Sequence, residues 1–236
     1  KKVEEERMNN ETYAVLTGDL VKSSKLTSEE SQQAMQWLRE AAEQFAKRFP
    51  DSIEGELDTF RHDSWQLLMK DPSYCLRTAV YFRTALKRHS ESKSKFDTRI
   101  SIGIGDVETI ADSRISDSRG SAFTLSGKNL DTMDRNRLVF QAEFDDSEIL
   151  SILRHTTVPL LDCVVSDWTS TEAHAVHGTL EGRTQEEIAQ LLPPNPRTGK
   201  AVTRQAVSDS LERGSWGTIE STLEWIEKRS KLWSLR

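Results

Sequence analysis

The sequence predicts an α+β chain in which a ferredoxin-like β-α-β-β-α-β domain is followed by an all-α domain containing a helix-turn-helix. Three observations carry this prediction. Short apolar runs of strand character alternate with longer segments of helical period up to about Asp145. From there onward the strand signals stop, and short helical segments follow, broken near Val158-Pro159 and again at Leu192-Pro193-Pro194-Asn195-Pro196. Two of these segments, opened by Thr184 and Thr203, stand in the order of a helix-turn-helix.

The elements follow in order. Tyr13-Ala14-Val15-Leu16 reads as the first strand, closed by Thr17-Gly18-Asp19 and followed by a loop from Val21 to Leu26. Thr27-Ser28-Glu29-Glu30 has capping-box spacing and opens a helix to about Arg48, with Met35, Leu38, Ala42 and Phe45 as its buried stripe. Leu57 to Arg61 and Ser64 to Met69 read as a hairpin turning at His62-Asp63. Asp71-Pro72 supplies an N-cap and a first-turn proline for the next helix, which buries Leu76, Val80, Phe82 and Leu86. Thr98 to Gly105 alternates strictly, with Gly103 and Gly105 where a backbone or ligand approaches closely. A third helix begins at Gly120-Ser121-Ala122, and Leu138 to Ala142 reads as an edge strand.

These signals divide the chain into a frayed end over 1–11, a sheet domain over 12–150 and a helical domain over 151–236, with the boundary between 145 and 165. At 236 residues it is long enough to bury a core. Its 30% charged residues and net charge of -6 argue against holding nucleic acid or anionic lipid by bulk charge, while leaving room for a local basic face. Cys75 and Cys163 lie in apolar stretches without metal-ligand spacing, which predicts reduced core thiols. No apolar run approaches the roughly 18 residues that span a membrane. The charged opening Lys1-Lys2-Val3-Glu4-Glu5-Glu6-Arg7 is no secretory leader, so a cytoplasmic location without membrane contact is expected.

In a split β-α-β arrangement the first and second strands run parallel, so the end of the first strand and the hairpin turn share one edge. Asp19 and Asp63 therefore converge. Two carboxylates at a sheet end suit one or two Mg2+ or Mn2+ ions carrying a nucleoside triphosphate. The alternative is that Asp19 caps a loop and Asp63 occupies a turn, both common roles for aspartate.

Thr17-Gly18-Asp19, His62-Asp63-Ser64-Trp65-Gln66, Arg99 to Gly105 and Gly120-Ser121-Ala122-Phe123 together resemble the SatD family over roughly residues 12 to 135. More distantly the layout resembles the palm domain of class III nucleotidyl cyclases. That resemblance implies metal ligation by Asp19 and Asp63, and nucleotide contacts at Gly18, Thr59, Gly103 and Gly105. The cyclase glycine before the hairpin aspartate is His62 here, and the base-reading lysine falls on Thr59. The Asn-x-x-x-Arg pair that steadies ribose and phosphate falls on Thr124 and Lys128, the positions implied to be catalytic. Lysine brings charge without the two-pronged guanidinium contact. An active domain would direct a ribose hydroxyl at the α-phosphate and release pyrophosphate. The resemblance also implies a homodimer.

The Thr184-Gln185-Glu186-Glu187-Ile188-Ala189 and Thr203 to Arg213 helices resemble the helix-turn-helix of sigma-factor ends, with a lengthened turn. Thr203, Arg204, Gln205 and Ser208 would meet base edges of double-stranded DNA, and Arg197, Lys200 and Arg213 its phosphates. The alternative is a helical protein-docking module, favoured by the acids Glu186, Glu187, Asp209 and Glu212. Ile219, Leu223, Trp225, Ile226 and Trp233 form a closing-helix stripe for core or dimer packing. His174 and His177 read as ordinary helix residues, and Lys87-Arg88-His89 with Lys93 and Lys95 as a solvated loop. Three functions stand: a DNA-binding regulator responding to a metal-bound nucleotide, an active nucleotidyl cyclase, and a non-catalytic dimeric scaffold.

Overall fold

A five-stranded sheet of order β2-β3-β1-β4-β5 organises the chain. Its strands are β1 (Tyr13–Leu20), β2 (Ile53–Phe60), β3 (Ser64–Met69), β4 (Thr98–Gly105) and β5 (Leu138–Ala142). The helices are α1 (Ser28–Arg48), α2 (Cys75–Lys87), α3 (Ser121–Thr132), α4 (Glu148–Ile152), α5 (Val158–Asp167), α6 (Ser170–Leu180), α7 (Gln185–Leu191), α8 (Arg204–Arg213) and α9 (Trp216–Glu227). The computed structural model describes residues 12–91, 95–111, 114–143, 148–194 and 198–229. The readings of the 1–11 end, Lys93, Asn195, Pro196, Arg197 and Trp233 lie outside these residues.

The β2-β3-β1-β4 strands pair antiparallel throughout, the ferredoxin-like order. β5 adds beside β4 in parallel, which requires a crossover, and α3 supplies it. β1 is longer than the four-residue reading. Thr17-Gly18-Asp19 continue the strand because β3 and β4 flank it on both sides, pairing Gly18 with Trp65 and Ile100. β2 begins at Ile53, earlier than read, and carries a bulge between Glu54 and Asp58. The capping box of α1 forms as expected, with Thr27 Oγ1 accepting from the Glu30 N–H at 3.1 Å and Glu30 accepting from the Thr27 N–H at 2.8 Å. Asp71 caps a short 3-10 turn, Pro72–Tyr74, that leads into α2.

Alternation divides the sheet faces. Ala14, Leu16, Trp65, Leu67, Ile100, Ile102 and Phe140 belong to the core under α1 and α2. Tyr13, Val15 and Leu68 meet Ala122 of α3 on the opposite face. Every residue of α2 is buried, beyond the stripe read from sequence, because α1 packs on one side and α6 on the other.

The break read near Val158-Pro159 is a continuous helix instead. A π-turn at Leu153–Thr157 joins α4 to α5, and such a widened turn accommodates a residue without an N–H. The joined helix Glu148–Asp167 has 20 residues and a mean hydropathy of 1.3, so one helix does reach the length and apolarity of a membrane span. Leu150, Leu153, Val158, Leu161 and Val165 are buried in the main core, whereas Ile152 and Leu160 are exposed. Cys75 is buried as expected, but Cys163 is exposed on this helix. The same core continues through Trp168, Val176, Trp216, Ile219, Leu223 and Ile226. Trp225 departs from the closing-helix stripe: it is exposed, with the Arg229 guanidinium 3.5 Å over its ring.

Buried charge ties the layers. Arg83, fully buried, donates to Asp97 at 2.9 and 3.0 Å and to Asp162 at 2.7 Å. Arg137 Nη1 joins Asp97 at 2.8 Å. Arg77 forms a fork with Glu227 at 2.6 and 3.0 Å, fastening α2 to α9.

The Lys87-Arg88-His89 run is not a solvated loop. Lys87 is buried and donates to the Ser166 carbonyl at 2.9 Å, and His89 stacks on Trp37 at 3.8 Å. These residues end α2 where α6 covers it. His177 lies there too, stacked on Tyr81 at 4.6 Å and 3.0 Å from Thr84 Oγ1 through Nδ1. Burial pushes His177 down to about 4, against the opposing pull of Glu181. Burial, assisted by the Arg88 charge, does the same to His89 and His174. Between pH 4 and the ordinary value of 6.5 the unfolded chain thus binds more protons than the native one, and stability falls as pH drops through that window. Urea unfolding at pH 7, 6 and 5 should show the decline, and His177→Gln should make it shallower while leaving the share of His89 and His174; a pH-independent midpoint would contradict the assignment.

Candidate functional site

Two places collect the residues singled out from sequence. The first is the strand end bearing Asp19 and Asp63, which the topology brings together as expected: the Leu20 N–H donates to the Asp63 carbonyl at 2.9 Å. Asp19 sits opposite Arg99 in the β1–β4 register. Arg99 Nε donates to Asp19 Oδ1 at 2.8 Å, and Nη2 donates to Oδ2. The remaining nitrogen, Nη1, donates at 3.2 Å to the carbonyl of Met133, the residue that closes α3. Asp63 accepts from the Ser23 hydroxyl at 2.7 Å and from the Ser64 hydroxyl at 3.3 Å.

This arrangement does not fit a two-metal centre. Both Asp19 oxygens are taken by a permanently charged guanidinium, and among the described residues no group of three His, Cys, Asp or Glu side chains stands ready for a metal. Arg99 was missed by sequence reasoning. Its signal was its place on the polar face of the alternating strand, with Ser101, Gly103 and Gly105, but its partner depends on strand register.

The glycines serve packing. A Cβ at Gly103 would lie 2.3 Å from the Ala122 carbonyl oxygen and 2.6 Å from the Ser126 nitrogen, so α3 lies directly on the strand there. At Gly105 it would meet Ser121 Oγ at 2.2 Å, and at Gly18 the Trp65 ring at 2.4 Å. The close approach read at Gly103 and Gly105 is real, but the approaching group is α3. The amino end of α3 is likewise filled from within, since Asp106 Oδ1 accepts the Ser121 N–H at 2.7 Å. That carboxylate stands where an N-terminal anion would bind. Hydrogen bonds from Ser121 hold its pKa below the ordinary carboxylate value.

Thr124 and Lys128 lie on the exposed face of α3. Thr124 donates back to the Gly120 carbonyl at 3.2 Å. It belongs to the part of α3 seated over Gly103 and Gly105, four to six strand positions from Arg99, or about 13–20 Å along β4. The structure therefore does not bring Thr124 to Asp19. Thr59 accepts from Arg39 Nη2 at 2.5 Å. Together with Arg61 and His62 these two residues line a cleft of about 720 Å3 between the start of α1 and the hairpin tip. Arg61 and His62 both take left-handed backbone angles, φ +54 and +64, in a turn without glycine.

The second place is the three-helix unit α6–α7–α8, built on Ala175, Ile188, Ala189 and Val207. Thr184 and Thr203 each cap their helices, accepting from Glu187 N at 3.3 Å and Ala206 N at 3.2 Å. In the first turn of α8 Arg204 and Gln205 are exposed, while Val207 and Ser210 face inward. Lys200 is exposed just ahead of α8, and Ser208 is half-buried. Gln205 donates to Asp209 at 2.7 Å, and Arg213 donates to Glu172 at 3.2 Å and to Ser210 at 3.0 Å.

Fold and sites together define an α+β sheet domain with a carboxylate–guanidinium pair at its strand end and a further set of helices on its α2 side. No family model matches the chain, and no curated protein matches it. Among solved structures it is similar to the crystal structure of the guanylyl cyclase Cya2, with a TM-score of 0.40 and 15% identity over 55% of this chain and 74% of that chain.

Proposed function

We propose that the chain is a DNA-binding regulatory protein of SatD-like type, in which α8 reads double-stranded DNA and the sheet domain carries and informs it. The observation that carries this reading is the first turn of α8. Thr203, Arg204 and Gln205 project away from the three-helix core, the disposition of a reading helix in a major groove. Lys200 adds a phosphate contact beside them. The homodimer implied by the resemblance belongs to this reading, since paired reading helices recognise two half-sites.

The test is fluorescence anisotropy of the full chain with a labelled random-sequence 30-bp duplex at low salt. Binding that weakens with added salt is expected, and the joint change Lys200→Ala/Arg204→Ala should weaken it and lower the salt slope by about 2. Absence of wild-type binding at low salt would leave the helical unit as a docking module.

A nucleotide enters this reading through one observation. The cleft beside Asp63 presents Arg39, Arg61 and His62, cationic or proton-donating groups suited to an anionic ligand. The cyclase form of the reading asks more, because Asp19 must leave Arg99 to hold a metal and Thr124 must reach the phosphates. A thermal-shift series with the four nucleoside triphosphates, with and without Mg2+ or Mn2+, checks both forms. Metal-independent stabilisation lost in Arg39→Ala/Arg61→Ala supports the cleft, and cyclic product by mass spectrometry would establish the enzyme.

A further inference from the structure

The Arg99 guanidinium takes both oxygens of Asp19, one of the two carboxylates that this strand end carries. It forms a fork with Asp19, with Nε donating to Oδ1 at 2.8 Å and Nη2 donating to Oδ2, and it donates at 3.2 Å to the Met133 carbonyl. The hydrogen bonds to Asp19 hold its pKa above the ordinary guanidinium value against the cost of burial, and the charges of Asp19, Asp63 and Asp131 act in the same direction. We infer that Arg99 is the resident cation of this sheet end, standing in place of a divalent metal, so that the native protein holds no Mg2+ or Mn2+ on Asp19 and Asp63.

The physical case rests on occupancy and charge. A metal ion needs carboxylate oxygens, and both of Asp19's are engaged by a planar donor whose fork matches them. An arginine is not deprotonated to make way for the ion. An entering cation must therefore displace a like charge or approach against it while shedding its own water, which Mg2+ does reluctantly. Displacement also costs α3 the cation at its carboxyl end, where carbonyls concentrate negative charge. Arg99 thus couples the end of β1 to the end of α3 without any ion. This inference stands independently of the DNA-binding reading.

Titration of the full chain with Mn2+ alone, following free Mn2+ by electron paramagnetic resonance, tests it. Wild type and Asp19→Asn should show the same absence of site-specific binding. Arg99→Ser should bind Mn2+ at least about tenfold more tightly than wild type, and Arg99→Ser/Asp19→Asn should lose the gain. Because Arg99→Ser also removes the contact to Met133, circular dichroism verifies its fold, and Arg99→Gln provides a second uncharged variant. Stoichiometric Mn2+ binding by wild type that disappears in Asp19→Asn overturns the inference, whatever the Arg99 variants do. A folded Arg99→Ser or Arg99→Gln that binds no better than wild type overturns it as well.

Discussion

Arg83→Ala is expected to lower the unfolding free energy by about 3–5 kcal/mol, because it strands two carboxylates in the protein interior. Asp97 and Asp162 accept three of the hydrogen bonds that Arg83 donates, and Ser166 accepts another at 2.9 Å. No solvent reaches Arg83 itself. Arg137 and Lys87 remain near Asp97, at 2.8 and 3.8 Å, so compensation there is partial. Burial raises the Asp97 pKa, but the Arg83, Lys87 and Arg137 charges outweigh it and hold the carboxyl below its ordinary 3.8. The stabilisation is therefore complete above that value and is lost as pH falls through the depressed one. Urea unfolding followed by tryptophan fluorescence measures the loss. A change under 1 kcal/mol would show that Arg83 does not hold α5 to the sheet domain.

Gly103→Val is expected to cost about 3 kcal/mol, the upper end of ordinary overpacking penalties. The added atoms meet backbone of α3, the Ala122 carbonyl and the Ser126 nitrogen, so no side-chain rotation relieves the contact. The helix must lift from β4, and the buried contact between Thr17 Oγ1 and Ser126 Oγ at 2.9 Å opens with it. Gly127 is the internal control: nothing lies within 4 Å of a Cβ built there. Gly127→Ala in the same helix should stabilise by about 0.5–1 kcal/mol. Comparable effects at the two positions would refute the packing role assigned to Gly103. A loss of nucleotide response without loss of stability in Gly103→Val would restore the ligand-cradle reading of that strand.

The extent of legibility is clearest at these residues. The period-two run Thr98 to Gly105 made β4 readable, and the capping boxes at Thr27 and Thr184 are local events within four residues that any chain segment displays alone. The convergence of Asp19 and Asp63 was likewise legible, since it follows from β-α-β connectivity. What converged with them was not. Arg99 lies 80 positions after Asp19, and only the β1–β4 register sets it opposite. A glycine in an alternating strand announces a close approach without saying whether a helix or a ligand makes it. The basic run after α2 misled for the same reason, because hydrophilic residues next to a polar loop look solvated until α6 packs over them.

By itself the sequence determined the α+β class, the strand and helix order, the caps, the stripe of α1 and the shared edge of the two aspartates. Tertiary structure decided which partner each polar group met: Arg99 for Asp19, Asp106 for the amino end of α3, Asp97 and Asp162 for Arg83. Periodicity and capping depend on neighbours within one or two turns of chain. The pairing of charges depends on packing and register between elements far apart in sequence, and those arise only once the layers close.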